Sequence, residues 1–288
     1  MTGYKRGRKK GLRVFVAGHS GFCFGVKRAV RITNEKLKST DNIYSLGPLI
    51  HNNWVVRDLS RQGLKVVKDI KAACRGAFIV IPSHGMDPRK RMEHKGVSFV
   101  DATCPFVFKA QALVKDLVKS GYEVLILGDK DHPEVKGLMG ISENRAKVID
   151  GEKGAAAYAA GRERVALVSQ TTQSLANFAR TSGRLIEKGP KELRVFNTIC
   201  RDVIERQKEA RNLARKVDLM LVIGGRNSAN TKRLAEVCAA FTNVRHIQSE
   251  SEIETRWFKA VKTVGIVTGA STPGSFIKKV KDRIRNIK

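Results

Sequence analysis

Three of the five cysteines have similar sequence surroundings and are the residues best suited to chemistry. Cys23, Cys104 and Cys200 each follow a short apolar run and precede a segment whose apolar residues recur at helical spacing. Thiolates are ligands for zinc and for the irons of iron–sulfur clusters. A cubane cluster normally takes four cysteines, so three would leave one iron with an open position, as catalytic zinc keeps one. The cysteines alone leave three alternatives: zinc, an iron–sulfur cluster or no metal.

Polar residues able to donate hydrogen bonds follow the three cysteines at matching distances. Each cysteine is followed by a helix-length segment and a second apolar run, after which a histidine or serine lies 28 residues from the cysteine. These residues are His51, His132 and Ser228. A third apolar run ends at another polar side chain, 61, 67 or 71 residues from the cysteine. These residues are His84, Thr171 and Ser271. The shared order indicates an internal repeat.

The elements that must position these residues are strands and helices in alternation. This order favours parallel sheets with right-handed crossovers. Ligands of such sheets bind beyond the carboxyl ends of the strands, where the polar residues lie. We predict an α/β fold of three similar units with mainly parallel sheets, in which the cysteines and polar residues share one cavity if the units face one centre. The predicted units are residues 11–103, 104–199 and 200–288, with residues 11–22 able to pack on the third.

The composition is that of a globular protein with anionic partners. Of its 288 residues, 42% are hydrophobic and 28% charged, and the net charge is +28, which suits a phosphorylated molecule or a nucleic acid. Basic residues crowd the segment 1–10, which we expect to be a disordered tail. No apolar run approaches about 18 residues, and no signal-peptide pattern is present. We therefore expect a cytoplasmic protein without membrane contact.

The cysteine count bears on the redox compartment. Five cysteines without a signal peptide argue against a disulfide framework, and no Cys-x-x-Cys pair indicates a zinc ribbon. Cys238, within a helix-like run, and Cys74, before the apolar run 78–81, are expected to be small buried hydrophobes.

Nine short segments around these residues are characteristic of a family when taken together. In chain order they are GFCFGVKRAV, GPLIHNNWVV, SHGMDP, DATCPFV, DHPEVKGLMG, SQTTQS, NTIC, NSANTKRLAE and TGASTPGS. They strongly resemble the 4-hydroxy-3-methylbut-2-enyl diphosphate reductase family, over about residues 21–276. The resemblance implies a trefoil of three α/β domains around a central cavity, with a 4Fe-4S cluster held by Cys23, Cys104 and Cys200. It also implies reductive removal of the allylic hydroxyl of (E)-4-hydroxy-3-methylbut-2-enyl diphosphate, which yields isopentenyl diphosphate and dimethylallyl diphosphate.

The resemblance implies a role for each polar residue as well. Six residues would bind the diphosphate, namely His51, His84, His132, Ser228, Asn230 and Ser271. Thr171 would hold the reacting hydroxyl, and Glu134 would relay protons. The open iron would act as a Lewis acid and as the point of electron entry. Because no GxGxxG segment follows a strand, a separate ferredoxin or flavodoxin is the expected electron donor, and a basic face suits such acidic proteins.

Structural interpretations remain open for the same residues. A histidine after a strand is commonly a structural hydrogen-bond partner, and Ser228 and Asn230 can cap a helix. Glu134 can interact with a helix dipole, and Ser271 can belong to a turn. Some positions also depart from the family's common pattern and affect peripheral hydrogen bonds. They are Val203, Ala229 and Gly274.

The positive charge leaves a nucleic-acid-binding protein without a cluster as the alternative function. The chain has no RNP-type aromatic motif, zinc-finger spacing or helix-turn-helix pattern. Aromatic residues make up only 6% of the chain, which is poor for stacking on bases. Colour after anaerobic purification discriminates between the two functions, since an iron–sulfur enzyme is brown and a plain nucleic-acid binder is colourless.

Overall fold

Three four-stranded sheets form the framework of the protein in a computed structural model, which describes residues 12–94, 96–159 and 161–287. In chain order the strands are β1 (Arg13–Val16), β2 (Ile43–Leu46), β3 (Lys65–Val67), β4 (Phe78–Ile81), β5 (Ser98–Asp101), β6 (Glu123–Leu127), β7 (Lys147–Ile149), β8 (Arg164–Ser169), β9 (Glu192–Val195), β10 (Leu219–Ile223), β11 (Asn243–Ile247) and β12 (Thr263–Thr268). The predicted tail at residues 1–10 lies outside the described residues.

Helices follow most of these strands. They are α1 (Phe24–Leu37), α2 (Asn53–Arg61), α3 (Arg89–Met92), α4 (Pro105–Lys119), α5 (Pro133–Ile141), α6 (Glu152–Ala159), α7 (Leu175–Lys188), α8 (Arg201–Ala214), α9 (Ala229–Ala239) and α10 (Gly274–Arg285). The helices predicted after the three cysteines are confirmed as α1, α4 and α8. In the part of the chain that the structure describes, no helix is long and apolar enough to cross a membrane.

The three sheets have the same strand order, and every neighbouring pair of strands is parallel. The orders are β3-β2-β4-β5, β7-β6-β8-β9 and β11-β10-β12-β1. The first strand of the chain therefore completes the last sheet, with Arg13 opposite Thr263 and Val16 opposite Ile266. The repeated order confirms the predicted α/β class with three similar parallel sheets. The division of the chain at residues 103/104 and 199/200 stays a prediction.

Central strands carry the core. Leu125 and Ile126 in β6, and Leu221 and Val222 in β10, have no exposed surface. Strands of a parallel sheet are covered on both faces, which explains their continuous apolar runs. Each such side chain contributes about 2 kcal/mol through burial. The outer strands β3, β7 and β11 were not predicted, because their sequences lack the apolar runs of the central strands.

Each of the three cysteines lies where the chain passes from one sheet to the next. The strand before the cysteine (β1, β5 or β9) belongs to one sheet, and the helix after it packs on another. Val26 of α1 shares a core with Ile43 of β2, α4 packs on β6 and β8, and α8 packs on β12. Because the passage occurs three times with the same geometry, it brings the three cysteines to one centre.

The two remaining cysteines differ from each other. Cys238 is fully buried in α9, as predicted. The prediction for Cys74 is wrong, because this residue is exposed. It follows the 3-10 helix Ile70–Ala72 in a surface turn. After Ile70 no residue is buried again until Ala77, just before β4.

Candidate functional site

The eleven residues singled out in the sequence all line one central cavity of about 110 Å³. They are Cys23, His51, His84, Cys104, His132, Glu134, Thr171, Cys200, Ser228, Asn230 and Ser271. The cavity lies beyond the carboxyl ends of the strands of all three sheets, since each of these residues follows a strand of its sheet. Three thiols line one part of it, and the histidines, serines and amide line another. We call these parts the thiol end and the polar end.

At the thiol end, the three cysteines occupy equivalent positions in three helices. Cys23, Cys104 and Cys200 are the N-cap residues of α1, α4 and α8. The backbone N–H of each cysteine donates a hydrogen bond, at 2.9–3.0 Å, to a carbonyl in the loop after β12, β4 or β8. The acceptors are Ala270, Ser83 and Thr171, respectively. The same bond in three places fixes the thiols relative to the loops that carry polar residues.

Burial and the helix N-termini shift the pKa values of the three thiols in opposite directions. Burial raises the pKa of Cys23 and Cys104, and raises the pKa of Cys200 to about 11. Backbone N–H groups in the first helical turn lower these pKa values, and one of them, from Val26, donates to Cys23 Sγ at 3.4 Å. The thiols are therefore protonated at neutral pH, yet a cation placed among them would find N–H groups already oriented to stabilise thiolates.

A buried arginine holds the loop that carries Cys23. The guanidinium of Arg206 in α8 donates to the backbone carbonyls of His19 and Gly21 at 2.8 and 2.9 Å. It also pairs with Asp202 at 2.6 Å, and only 3% of its side chain is exposed. Neither Arg206 nor Asp202 was predicted from the sequence. Their i,i+4 spacing on the helix after a cysteine is a signal that was available.

At the polar end, three histidine rings lie against one another. The rings of His51 and His84 stack with centroids 5.0 Å apart and an interplanar angle of 17°. The ring of His132 lies 5.0 Å from that of His51 and 6.3 Å from that of His84. The rings come from loops after β2, β4 and β6, so two neighbouring sheets contribute to the cluster.

The histidines are neutral at physiological pH. Burial lowers the pKa of His51, lowers that of His84 well below its usual value, and lowers that of His132 to about 3. The Nδ1 of His132 accepts a hydrogen bond from the Glu134 backbone N–H at 3.2 Å, which leaves its proton on Nε2. His51 Nε2 and His84 Nδ1 are buried without a hydrogen-bond partner among the described residues. Because buried polar atoms are normally hydrogen-bonded, these two ring nitrogens are available to bond to a ligand in the cavity.

Three further polar side chains complete this end. Ser228 is the N-cap of α9, and its hydroxyl accepts a hydrogen bond from the Thr231 N–H at 3.3 Å. The structure therefore confirms that Ser228 caps a helix. Both amide atoms of Asn230 are buried without a protein partner among the described residues. Ser271 Oγ donates to the His51 carbonyl at 3.1 Å, which joins the loops after β12 and β2.

Glu134 and Thr171 form a buried acid–hydroxyl pair. The backbone N–H of Thr171 donates to Glu134 Oε1 at 2.6 Å, and its hydroxyl donates to Oε2 at 2.8 Å. Glu134 lies in the first turn of α5 with only 2% of its surface exposed. Burial raises its pKa to about 7, against the lowering effect of the bonds from Thr171. The carboxyl group can therefore hold or release a proton near neutral pH.

Comparison with known proteins identifies the family. The family model described as LytB protein matches residues 14–285. Two relatives are named 4-hydroxy-3-methylbut-2-enyl diphosphate reductase and are 44% identical to this chain: that of Geobacter metallireducens covers 96% of this chain and 98% of its own length, and that of Pelobacter propionicus covers 96% and 99%.

Solved structures agree with this result. One is a structure of (E)-4-hydroxy-3-methyl-but-2-enyl diphosphate reductase, described as the terminal enzyme of the non-mevalonate pathway. It is 39% identical, has a TM-score of 0.69, and covers 96% of this chain and 100% of its own. A reductase structure from Plasmodium falciparum is 24% identical with a TM-score of 0.90, covers 94% of this chain and 87% of its own, and supports the fold. On this evidence the chain belongs to the LytB family and is an enzyme of its 4-hydroxy-3-methylbut-2-enyl diphosphate reductase group.

Proposed function

We propose that this enzyme removes the allylic hydroxyl of (E)-4-hydroxy-3-methylbut-2-enyl diphosphate by reduction. Two electrons and two protons convert the substrate to isopentenyl diphosphate or dimethylallyl diphosphate, and the hydroxyl leaves as water. The observation that carries the proposal is the single cavity in which three thiols, three imidazoles and the Glu134–Thr171 pair meet. The names of relatives 44% identical over nearly the whole chain support the same reaction.

The thiol end suits a 4Fe-4S cluster held by Cys23, Cys104 and Cys200. Three half-buried thiols at three helix N-termini are soft ligands. Within the described ranges, no three His, Cys, Asp or Glu side chains are grouped to hold a metal ion. A single zinc ion needs all its cysteine ligands about 2.3 Å from one centre. The three cysteines therefore fit zinc less well than a cluster, in which each cysteine binds a separate iron.

When bound, the cluster would supply electrons and a Lewis-acidic iron with an open position. The chain's contribution at this end is to keep the thiols in place and to shield them from water. A separate ferredoxin or flavodoxin would provide the electrons. The net charge of +28 supports an acidic donor, because opposite charge steers such encounters.

At the polar end, the six predicted residues would bind the diphosphate. His132 and Ser228 are the N-cap residues of α5 and α9, and α2 begins directly after His51 and its neighbour Asn52. Each helix N-terminus places about half an elementary positive charge near the anion. The orphaned amide of Asn230 and the neutral imidazoles add donors in fixed positions. An anion beside the histidines would raise their pKa values, so binding is expected to take up protons.

Glu134 would supply protons through Thr171. At 2.8 Å, the Thr171 hydroxyl can donate to the carboxylate or, after rotation, accept from the protonated acid and donate into the cavity. One proton would allow the hydroxyl to leave as water, and a second would complete the carbon that becomes electron-rich. The pKa of about 7 keeps the acid partly protonated at neutral pH while its burial excludes bulk water.

The test is turnover with defined components. We would purify the protein anaerobically, reconstitute it with iron and sulfide, reduce it with a viologen dye and analyse the products by NMR. Both allylic and homoallylic diphosphates are expected, with about four irons per chain. A fully loaded protein that leaves the substrate unchanged would overturn the reaction. A colourless protein that binds no iron would overturn the cluster and favour the nucleic-acid-binding alternative.

A further inference from the structure

The cavity has an unusual charge balance for a site that takes a diphosphate. Among the described residues that line it there is no lysine or arginine, whereas Glu134 and Asp202 are present. Its three histidines are neutral because of burial. A diphosphate is a multiply charged anion, and transfer of such an anion into a partly buried cavity without a counter-charge is costly. The helix N-termini supply only partial charges, so a full positive charge is expected close by.

Arg233 is the side chain that meets this need. It lies in α9, one helical turn after Ala229, and α9 also carries Asn230 into the polar end. Arg233 lines a second cavity of about 690 Å³, which shares His132 and Ala229 with the first. The guanidinium is therefore on the far side of the residues that form one wall of the polar end.

The guanidinium of Arg233 is half-buried and, among the described residues, has no ion pair or hydrogen bond of the kind that Arg206 makes. Its Nε is buried without a hydrogen-bond partner among the described residues. Burial lowers its pKa, and the nearby acids Glu236, Asp129 and Glu134 only partly offset that effect. Arg206, in contrast, is buried with a carboxylate and carbonyls around it. A half-buried cation without a paired carboxylate is destabilising unless something else compensates its charge.

Different arginines therefore act on the two ends of the cavity. Arg28 and Arg206 act on the thiols, where both lower the pKa of a cysteine. Arg233 acts on the polar end, where it lowers the pKa values of His132 and Glu134. A bound anion in the polar end would balance the positive charge of Arg233, and Arg233 would in turn balance the negative charge of the anion.

We propose that Arg233 is a positioning residue that supplies the permanent positive charge for diphosphate binding from behind the wall formed by His132 and Ala229. This inference rests on the proposed function, because it takes the polar end to be the diphosphate site. It assigns Arg233 to affinity for the anion rather than to the chemistry at the hydroxyl.

Binding of inorganic diphosphate, measured by isothermal titration calorimetry, tests the proposal without any turnover. Arg233→Met should weaken binding about tenfold or more, since it removes a unit charge that acts on the polar end through a partly buried medium. Arg233→Lys should retain binding within about threefold, because the charge remains. Lys232→Met is the matched control: it removes one exposed cation from the same helix and the same second cavity, and should change binding less than about twofold.

The outcomes separate this proposal from the proposed function. Unchanged binding in Arg233→Met overturns the inference, as does an equal loss in Lys232→Met, which would indicate a general surface field. Equal losses in the Met and Lys variants, with a lowered melting temperature in both, would show a structural role and also overturn it. If the unmodified protein fails to bind diphosphate, or if His84→Ala binds it equally well, the polar end is not the diphosphate site and the proposed function fails.

Discussion

Glu134→Gln is the most informative single change, because it removes one proton and little else. The amide keeps the size of the side chain, and its oxygen can still accept the bond that the Thr171 N–H donates at 2.6 Å. Its NH2 group can donate to the Thr171 hydroxyl, at the position where the carboxylate accepts at 2.8 Å. A pKa of about 7 means that about half of the enzyme carries the proton at pH 7 and about one-tenth at pH 8. Loss of a general acid typically costs about 10²- to 10⁴-fold in rate. We expect that loss in kcat with nearly normal substrate binding and cluster content.

The assay is the pH profile of kcat/KM with a chemical reductant, so that donor docking does not contribute. The unmodified enzyme should lose activity as pH rises through about 7, because the proton leaves Glu134. In the free enzyme the histidines do not titrate near pH 7, since burial lowers their pKa values and they are already neutral. Glu134→Gln should show a low, flat profile. Turnover within a few-fold of normal, or an unchanged alkaline limb, would refute the assignment.

The same pKa has a consequence for stability that needs no catalysis. The pKa of Glu134 rises from 4.5 to about 7 on folding. Below the lower value both states hold the proton; between the two values only the folded state does, so the contribution to stability is lost as pH rises through about 7. The full loss is at most about 3 kcal/mol. Relative to the unmodified protein, Glu134→Gln should therefore gain stability between pH of about 4.5 and 8, as measured by urea unfolding. Parallel curves for the two proteins would contradict the raised pKa.

Three further predictions concern the cluster, the donor and the loop before Cys23. Serine in place of Cys23, Cys104 or Cys200 should remove or greatly lower bound iron, since a hydroxyl is a poor ligand, whereas Cys74→Ser, at an exposed position, should keep the normal iron content; full iron in the first three would contradict the assignment. Reduction by an acidic ferredoxin or flavodoxin should slow as salt is added at limiting donor concentration, because salt screens the charges that steer the encounter. Stopped-flow rates that do not change with salt concentration would argue against a charged docking face. Arg206→Met should lower the free energy of unfolding by about 3–5 kcal/mol, because it leaves a partly buried carboxylate and several carbonyls without their partner. A loss below about 1 kcal/mol in denaturant unfolding would show that the contacts of Arg206 with this loop are dispensable for stability.

Local patterns in the sequence were sufficient for the elements that carry the site. Continuous apolar runs predicted the central strands, such as β6 and β10, because strands covered on both faces need apolar residues throughout. Helical spacing after each cysteine predicted α1, α4 and α8. The matching distances of 28 residues pointed to His51, His132 and Ser228, since equal units of strand and helix place equivalent loops at equal separations.

Outer strands and surface turns were harder to predict. β3, β7 and β11 have weak patterns because neighbouring strands, not their own sequences, determine their pairing. Cys74 stands next to a buried strand but is exposed, because the turn in which it lies follows the surface. The prediction that residues 11–22 can pack on the third unit named no partner strand. A four-residue strand such as β1 does not show that it pairs with β12, whose Thr263 lies 250 residues after Arg13.

The sequence by itself thus determined which residues could do chemistry, whereas the tertiary structure decided what state they are in. A glutamate with an ordinary pKa becomes an acid near pH 7 only because three sheets exclude water from it. The three imidazoles become neutral donors for the same reason. Arg233 is one cation among 55 in the sequence. It is distinguished by its half-buried place behind His132, where its Nε has no partner among the described residues. Solvation and pairing depend on neighbours far away in the chain, and those neighbours exist only after folding.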